Sequence, residues 1–151
     1  MKMNDVKGVF IAIFAALNAW LGTLAPLIYL LLVLQITDYA TGITAAPYRG
    51  ETRSGDRGFR GIAKKVCMLV LVGLGMALDW LLFYVAGTVG IISPVKCLFA
   101  ALVAVWLIAN EIISILENIG DIGVKSPAFL LPMVKWVQQQ AEDKGKSNTG
   151  V

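Results

Sequence analysis

Three short stretches place ionisable and amide side chains inside otherwise apolar sequence: ITDYATG at residues 36–42, RGFRGIAKK at 57–65 and NEIISILEN at 110–118. A carboxylate at the centre of a bilayer costs about 2.5–3.5 kcal/mol on insertion scales, so such a group persists where a partner or water meets it. Asp38 therefore needs a partner. In the third stretch Asn110, Ser114, Glu117 and Asn118 share one helical face, with Glu111 alongside. Arg60, Lys64 and Lys65 open the next apolar segment at similar depth, so acids and bases can form one layer near an interface. Two kinds of chemistry suit that layer. It can be interhelical glue, with charges neutralising one another and setting the register of a bundle, or it can line a water-filled lumen or a proton route. The two can hold in different states.

Soluble-enzyme chemistry finds no support. The chain contains no histidine, which removes His-based triads and His metal sites, and no glycine loop ending in Gly-Lys-Ser/Thr is present. No catalytic residue, metal or cofactor is expected. Cys67 and Cys97 each lie in an apolar setting near opposite ends of different segments, too far apart for a disulfide within one subunit.

Positioning such a layer requires membrane-spanning helices. Of the 151 residues 58% are hydrophobic and only 15% charged, and the mean hydropathy is +0.75; a soluble domain carries roughly 25% charged residues. The fold class is all-α, an integral membrane helical bundle. Residues 9–45 would form a helix about 55 Å long against a hydrocarbon core of about 30 Å, so one straight span is excluded. The break falls at GTLAP, residues 22–26, where Pro26 suits the first turn of a new helix. Spans are then expected at about 7–24, 26–45, 62–86 and 95–116, with a polar loop at 47–61. If the first segment instead lies along the membrane surface, three spans remain. Lys2 and Lys7 before an apolar run resemble a secretory signal, but no cleavage site followed by polar sequence appears, so a retained span is expected. With the 47–61 loop in the cytoplasm, Lys96 is the only one of 13 Lys and Arg residues outside, which places both termini in the cytoplasm.

Basic residues of the loop, Arg49, Arg53, Arg57 and Arg60, then face anionic lipid headgroups; nucleic acid is not an expected partner. Small residues recur at packing intervals: Gly8, Ala12 and Ala16 in the first span, Gly73 and Ala77 in the third, Ala100 and Ala104 in the fourth. Close helix contacts and self-association follow if these ridges face partners. Asp79, in LDWLLFY with Trp80 and Tyr84, is expected to snorkel toward the far interface or to face a neighbouring subunit. Residues 1–120 form the transmembrane domain. Residues 121–151 are expected to be a cytoplasmic segment: a short amphipathic helix with Leu130, Met133, Val134, Val137 and Ala141 on its apolar face, then a disordered polar tail from Lys144.

Taken in order, ITDYATG, RGFRGIAKK and NEIISILENIGDIGVKSP resemble the successive signatures of bacteriophage lysis holins, in the family that also contains clostridial toxin-secretion holins. The similarity covers roughly residues 27–127. The residues matching the family motifs are Asp38, Tyr39, Thr41 and Gly42; Gly58, Gly61, Lys64 and Lys65; and Asn110, Glu111, Ser114, Glu117 and Asn118. Two features depart from the pattern: the loop is rich in arginine rather than lysine and serine, and the segment after Pro127 is unusually apolar. The resemblance implies a homo-oligomer in the bacterial cytoplasmic membrane that opens lesions, collapses the membrane potential and releases an endolysin or a large protein such as a toxin. It also implies a possible antiholin partner, and the start MKMND suggests that Met1 and Met3 could serve as alternative starts. A small ion- or proton-coupled transporter, also with four spans and intramembrane acids, or a regulatory membrane subunit such as an antiholin, is the alternative reading of the same residues.

Overall fold

The computed structural model describes residues 3–51, 55–90 and 97–149, and all regular structure among them is helical. Helix α1 covers Met3–Leu21, a single 3-10 turn covers Gly22–Leu24, and α2 covers Ala25–Ala45. Helices α3, α4 and α5 follow at Gly55–Val89, Leu98–Asp121 and Leu130–Thr149. Three stretches are long and apolar enough to cross a membrane: Asp5–Ala45, Gly58–Val89 and Leu98–Asp121. The chain is therefore a helical membrane bundle with a further C-terminal helix.

The first stretch runs 41 residues and breaks where glycine and proline predict. Gly22 adopts φ of 53°, a conformation glycine reaches without a Cβ penalty, and Pro26 sits in the first turn of α2, where its missing N–H leaves no bond unmade. Near this bend the rings of Phe14 and Tyr29 stack with centroids 5.5 Å apart. Elsewhere α1 turns large apolar side chains outward, including Phe10, Ile11, Ile13 and Trp20. Gly8 has open space where a Cβ would stand. The Gly8, Ala12 and Ala16 ridge is thus free of contacts from its own chain's core.

Helix α4 is the centre of the bundle, with α2, α3 and α5 packed around it, while α2 and α3 barely touch each other. Leu31 from α2, Met68 and Val72 from α3, and Ala104, Leu107 and Ile108 from α4 form the core. Ala100 and Ala104 are fully buried, and these small positions let neighbours approach α4 closely. On the outside of α3, Val70, Leu74, Leu78 and Leu81 are exposed. Apolar side chains outward around a small-residue core is the pattern that lipid, rather than water, satisfies.

The close approach of α3 to α4 is made by Gly75, not by Gly73. A Cβ on Gly75 would stand 2.8 Å from the Ala100 Cα, whereas one on Gly73 would meet nothing within 4 Å, and Ala77 also faces outward. Two residues turn a helix by about 200°, so the ridge starting at Gly73 lies on the opposite face. Asp79, one turn beyond Gly75, shares its face. Its two carboxylate oxygens accept the backbone N–H groups of Phe99 (2.9 Å) and Ala100 (2.8 Å). Residue Cys97 at the N-cap has φ of 67° and no capping side-chain bond, so the cap of α4 comes from α3. This corrects the expectation that Asp79 reaches outward: free N–H groups at a helix start are the nearest donors, and the helix dipole favours the anion there.

Other boundaries also shift. Helix α3 begins at Gly55, so the second half of the expected 47–61 loop is its first turns, with Asp56 placed favourably at the N-terminus. Helix α4 ends in a Schellman turn, with Gly123 at φ of 97° and Val124 N–H bonded to the Ile119 carbonyl at 3.1 Å. The C-terminal helix extends through the expected tail to Thr149, helped by a 3.0 Å Glu142–Lys146 pair one turn apart. It does not stand apart from the bundle. Its later half borders the first half of α4, so α5 runs back antiparallel to α4. The capping contact predicts that Asp79→Ala destabilises the bundle by about 1.5–3 kcal/mol, the range for a hydrogen-bonded charged group. In detergent this is read as a lower thermal unfolding midpoint, with Asp79→Asn falling between.

Candidate functional site

At the end of the bundle where α2 stops and α3 starts, polar side chains from three helices meet. Gln35, Asp38, Thr41 and Gly42 lie within two turns on one side of α2; Glu111 and Asn118 are two turns apart on α4; Lys65 comes from the second turn of the apolar part of α3. The Lys65 ammonium donates to Asp38 Oδ2 at 2.8 Å and to Glu111 Oε2 at 2.7 Å. These side chains are 16%, 17% and 3% exposed, so the pairs are weakly screened. One lysine thus joins all three core helices.

Asn118 forms the next tier. Its Nδ2 donates to Asp38 Oδ1 at 3.1 Å and to Thr41 Oγ1 at 3.2 Å, while the Thr41 hydroxyl donates to the Asp38 carbonyl at 3.1 Å. Gly42 makes room: a Cβ there would stand 3.6 Å from Asn118 Nδ2. Arg49 closes the network, donating to Asn118 Oδ1 at 3.0 Å and Asp121 Oδ2 at 2.8 Å, with Glu51 Oε1 at 3.4 Å. Its guanidinium is held above its ordinary pKa chiefly by the Asp121 hydrogen bond, with support from Glu51. A tight turn after α2, with Gly50 at φ of 71° and its N–H bonded to the Pro47 carbonyl, places Arg49 there.

Glycines 58 and 61 serve a third contact. The Tyr39 ring lies over the start of α3, where a Cβ on Gly61 would sit 3.6 Å from the ring and one on Gly58 would sit 3.3 Å from the hydroxyl. Beside this contact an open cleft of about 760 Å³ reaches Asp38, Lys65 and Glu111, and Lys64, Asn110 and Ser114 border it without joining the network. The flank of the ion pairs is thus not enclosed by this chain.

Of the residues singled out in the sequence, the structure brings together Asp38, Lys65, Glu111, Asn118 and Thr41, and packs Tyr39, Gly42, Gly58 and Gly61 around them. Glu117 is exposed and outside the network, and Lys64 and Arg60 point outward. Arg53 lies outside the described residues, as does the side chain of Arg57. Arg49 differs from expectation, since it turns inward to α4 rather than facing the surrounding medium alone. Two members were missed. Buried Gln35 donates to the Lys65 carbonyl at 3.3 Å, and Asp121 anchors Arg49. Each could have been found by spacing, because Gln35 is three residues before Asp38 and Asp121 three after Asn118. Among the described residues no group of acids and cysteines could hold a metal ion.

Replacing Lys65 with methionine leaves two carboxylates without their shared cation, a change that costs about 3–5 kcal/mol when a buried pair is broken from one side. The expected result is a large fall in the unfolding midpoint of the detergent-solubilised protein. Adding Glu111→Gln to Lys65→Met should recover part of the loss, because one uncompensated charge is then removed.

Residues 15–139 match the model of a bacteriophage holin family. A probable holin of Bacillus phage phi105 is 30% identical over 115 residues, covering 76% of each chain. An uncharacterized protein of Listeria monocytogenes is 35% identical, covering 80% of this chain and 79% of its own. One of Listeria innocua is 34% identical, covering 87% and 86%. No solved structure matches. With most of its length, including all three polar stretches, inside the family match, the chain belongs to the bacteriophage holin family.

Proposed function

We propose that this chain accumulates in the bacterial cytoplasmic membrane as a homo-oligomer and, on triggering, opens lesions that depolarise the membrane and release an endolysin or another large protein. It performs no catalytic step. Both termini start on the cytoplasmic side, where exposed basic residues of the loop end meet anionic lipid, and an antiholin form of the same chain would act by joining the assembly unproductively.

The observation that carries this reading is the Asp38–Lys65–Glu111 junction. A single cation ties α2, α3 and α4 of one subunit together, while most of the apolar surface of α1 and α3 is left for lipid or for other copies. Such a bundle has two ways to satisfy its helices. In the closed state these pairs are sealed from water; in the open state helices pack on other subunits and water reaches the same pairs. Moving one charge through 100 mV is worth about 2.3 kcal/mol, enough for the membrane potential to bias the exchange. The outward ridge of Gly8, Ala12 and Ala16 is the proposed contact between copies.

Timing of lysis tests this reading. Asp38→Asn and Glu111→Gln each weaken the junction and should shift the onset of lysis and of cytoplasmic endolysin release, measured together with membrane potential after induced expression. Unchanged timing in both variants would sink the gating role of the junction. Saturable cation exchange without protein release in liposomes would instead favour a transporter.

A further inference from the structure

The last helix occupies an unexpected place. Helix α4 has 24 residues, about 36 Å of helix, so its first half lies at membrane depth whichever way the bundle is oriented. Val137, Ala141 and Lys144 of α5 border the same groove as Leu98, Ala101 and Val105 of α4. Ala141 is buried, and Leu131 and Val134 are half-buried on the same stripe. Gln139, Glu142, Asp143 and Lys146 are exposed, and Glu142 pairs with Lys146 on that outer side.

Lipid cannot satisfy that arrangement. Glutamine, acids and lysines on the outer side of α5 would face hydrocarbon alongside Leu98–Val105, where charged side chains are retained only against partners or water. A second apolar stripe, Phe129, Met133 and Trp136, is largely exposed, with Trp136 at the edge of the α4 groove, and it suits a helix lying on a membrane surface. The two faces fit two positions of one helix.

We infer that the α4–α5 hairpin is the water-facing side of the open assembly. With α5 docked on α4, its polar half lines the aqueous lumen. Without a lumen α5 leaves α4 and rests on the membrane surface through Phe129, Met133 and Trp136. This rests on the lesion-forming reading above and adds the identity of the lumen-lining element.

The test uses the full-length chain in cells, with Cys67→Ser and Cys97→Ser as background and the pair Ala101→Cys and Ala141→Cys added. Disulfide formation across the groove is followed through the onset of release of a folded cytoplasmic protein. The expected result is a crosslinked fraction that rises about tenfold or more when release begins. A fraction that is equally high before release, or absent throughout while release proceeds, overturns the inference and leaves the lesion-forming reading standing; absence of release in the background chain itself defeats both. A second variant, Gln139→Leu with Glu142→Leu and Lys146→Leu, makes the outer side of α5 apolar. Membrane accumulation should persist and protein release should be lost. Normal release from that variant would also overturn the inference.

Discussion

An ammonium group at membrane depth is tolerable only if anions and hydrogen bonds replace the water it has lost, and Lys65 meets that demand by drawing Asp38 and Glu111 onto itself. Because the two carboxylates belong to α2 and α4, the helices that flank the junction cannot slide or rotate independently. Directional contacts elsewhere depend on this register. Asn118 reaches Asp38 and Thr41 only with α2 and α4 held at this level, and Tyr39 lies over Gly58 and Gly61 only with the start of α3 held beside α2.

The opposite end is fixed by a different device. Gly75 removes the side chain that would keep α3 from the start of α4, and Asp79, one turn later, accepts the N–H groups that begin α4. A bundle with so few buried large side chains gains little from apolar burial, since lipid offers the same contacts. Its specificity therefore comes from two polar fastenings at its ends, joined by a thin core of small and branched residues. Fastenings made of charge respond to water and to electric field, whereas an apolar core responds to neither.

The order of the apolar helices along the chain was readable from residues alone. Apolar length set the spans, Gly22 and Pro26 set the break, and the types in ITDYATG, RGFRGIAKK and NEIISILEN announced a polar layer, because a lone charge in hydrocarbon implies a partner. Helical spacing also placed Asn118 and Glu111 near one another. Rotation about each helix axis was not readable, since every span is apolar over most of its circumference and periodicity then discriminates weakly between faces. Hence Gly75 rather than Gly73 meets α4, and Glu117 stays outside a network that includes its neighbour Asn118.

What the sequence by itself determined is a helical membrane protein with polar stretches set inside its apolar segments, because solvent preference and hydrogen-bond need are properties of single residues and short segments. Tertiary structure decided which charges meet: Lys65 rather than Lys64 at the junction, Arg49 turned inward to Asp121, Asp79 spent on the start of another helix, and α5 folded back along α4. Those outcomes depend on relative helix rotation and on distances of a few ångströms between segments far apart in the chain. They arise only once the helices have packed, when each donor takes the acceptor that the register brings within reach.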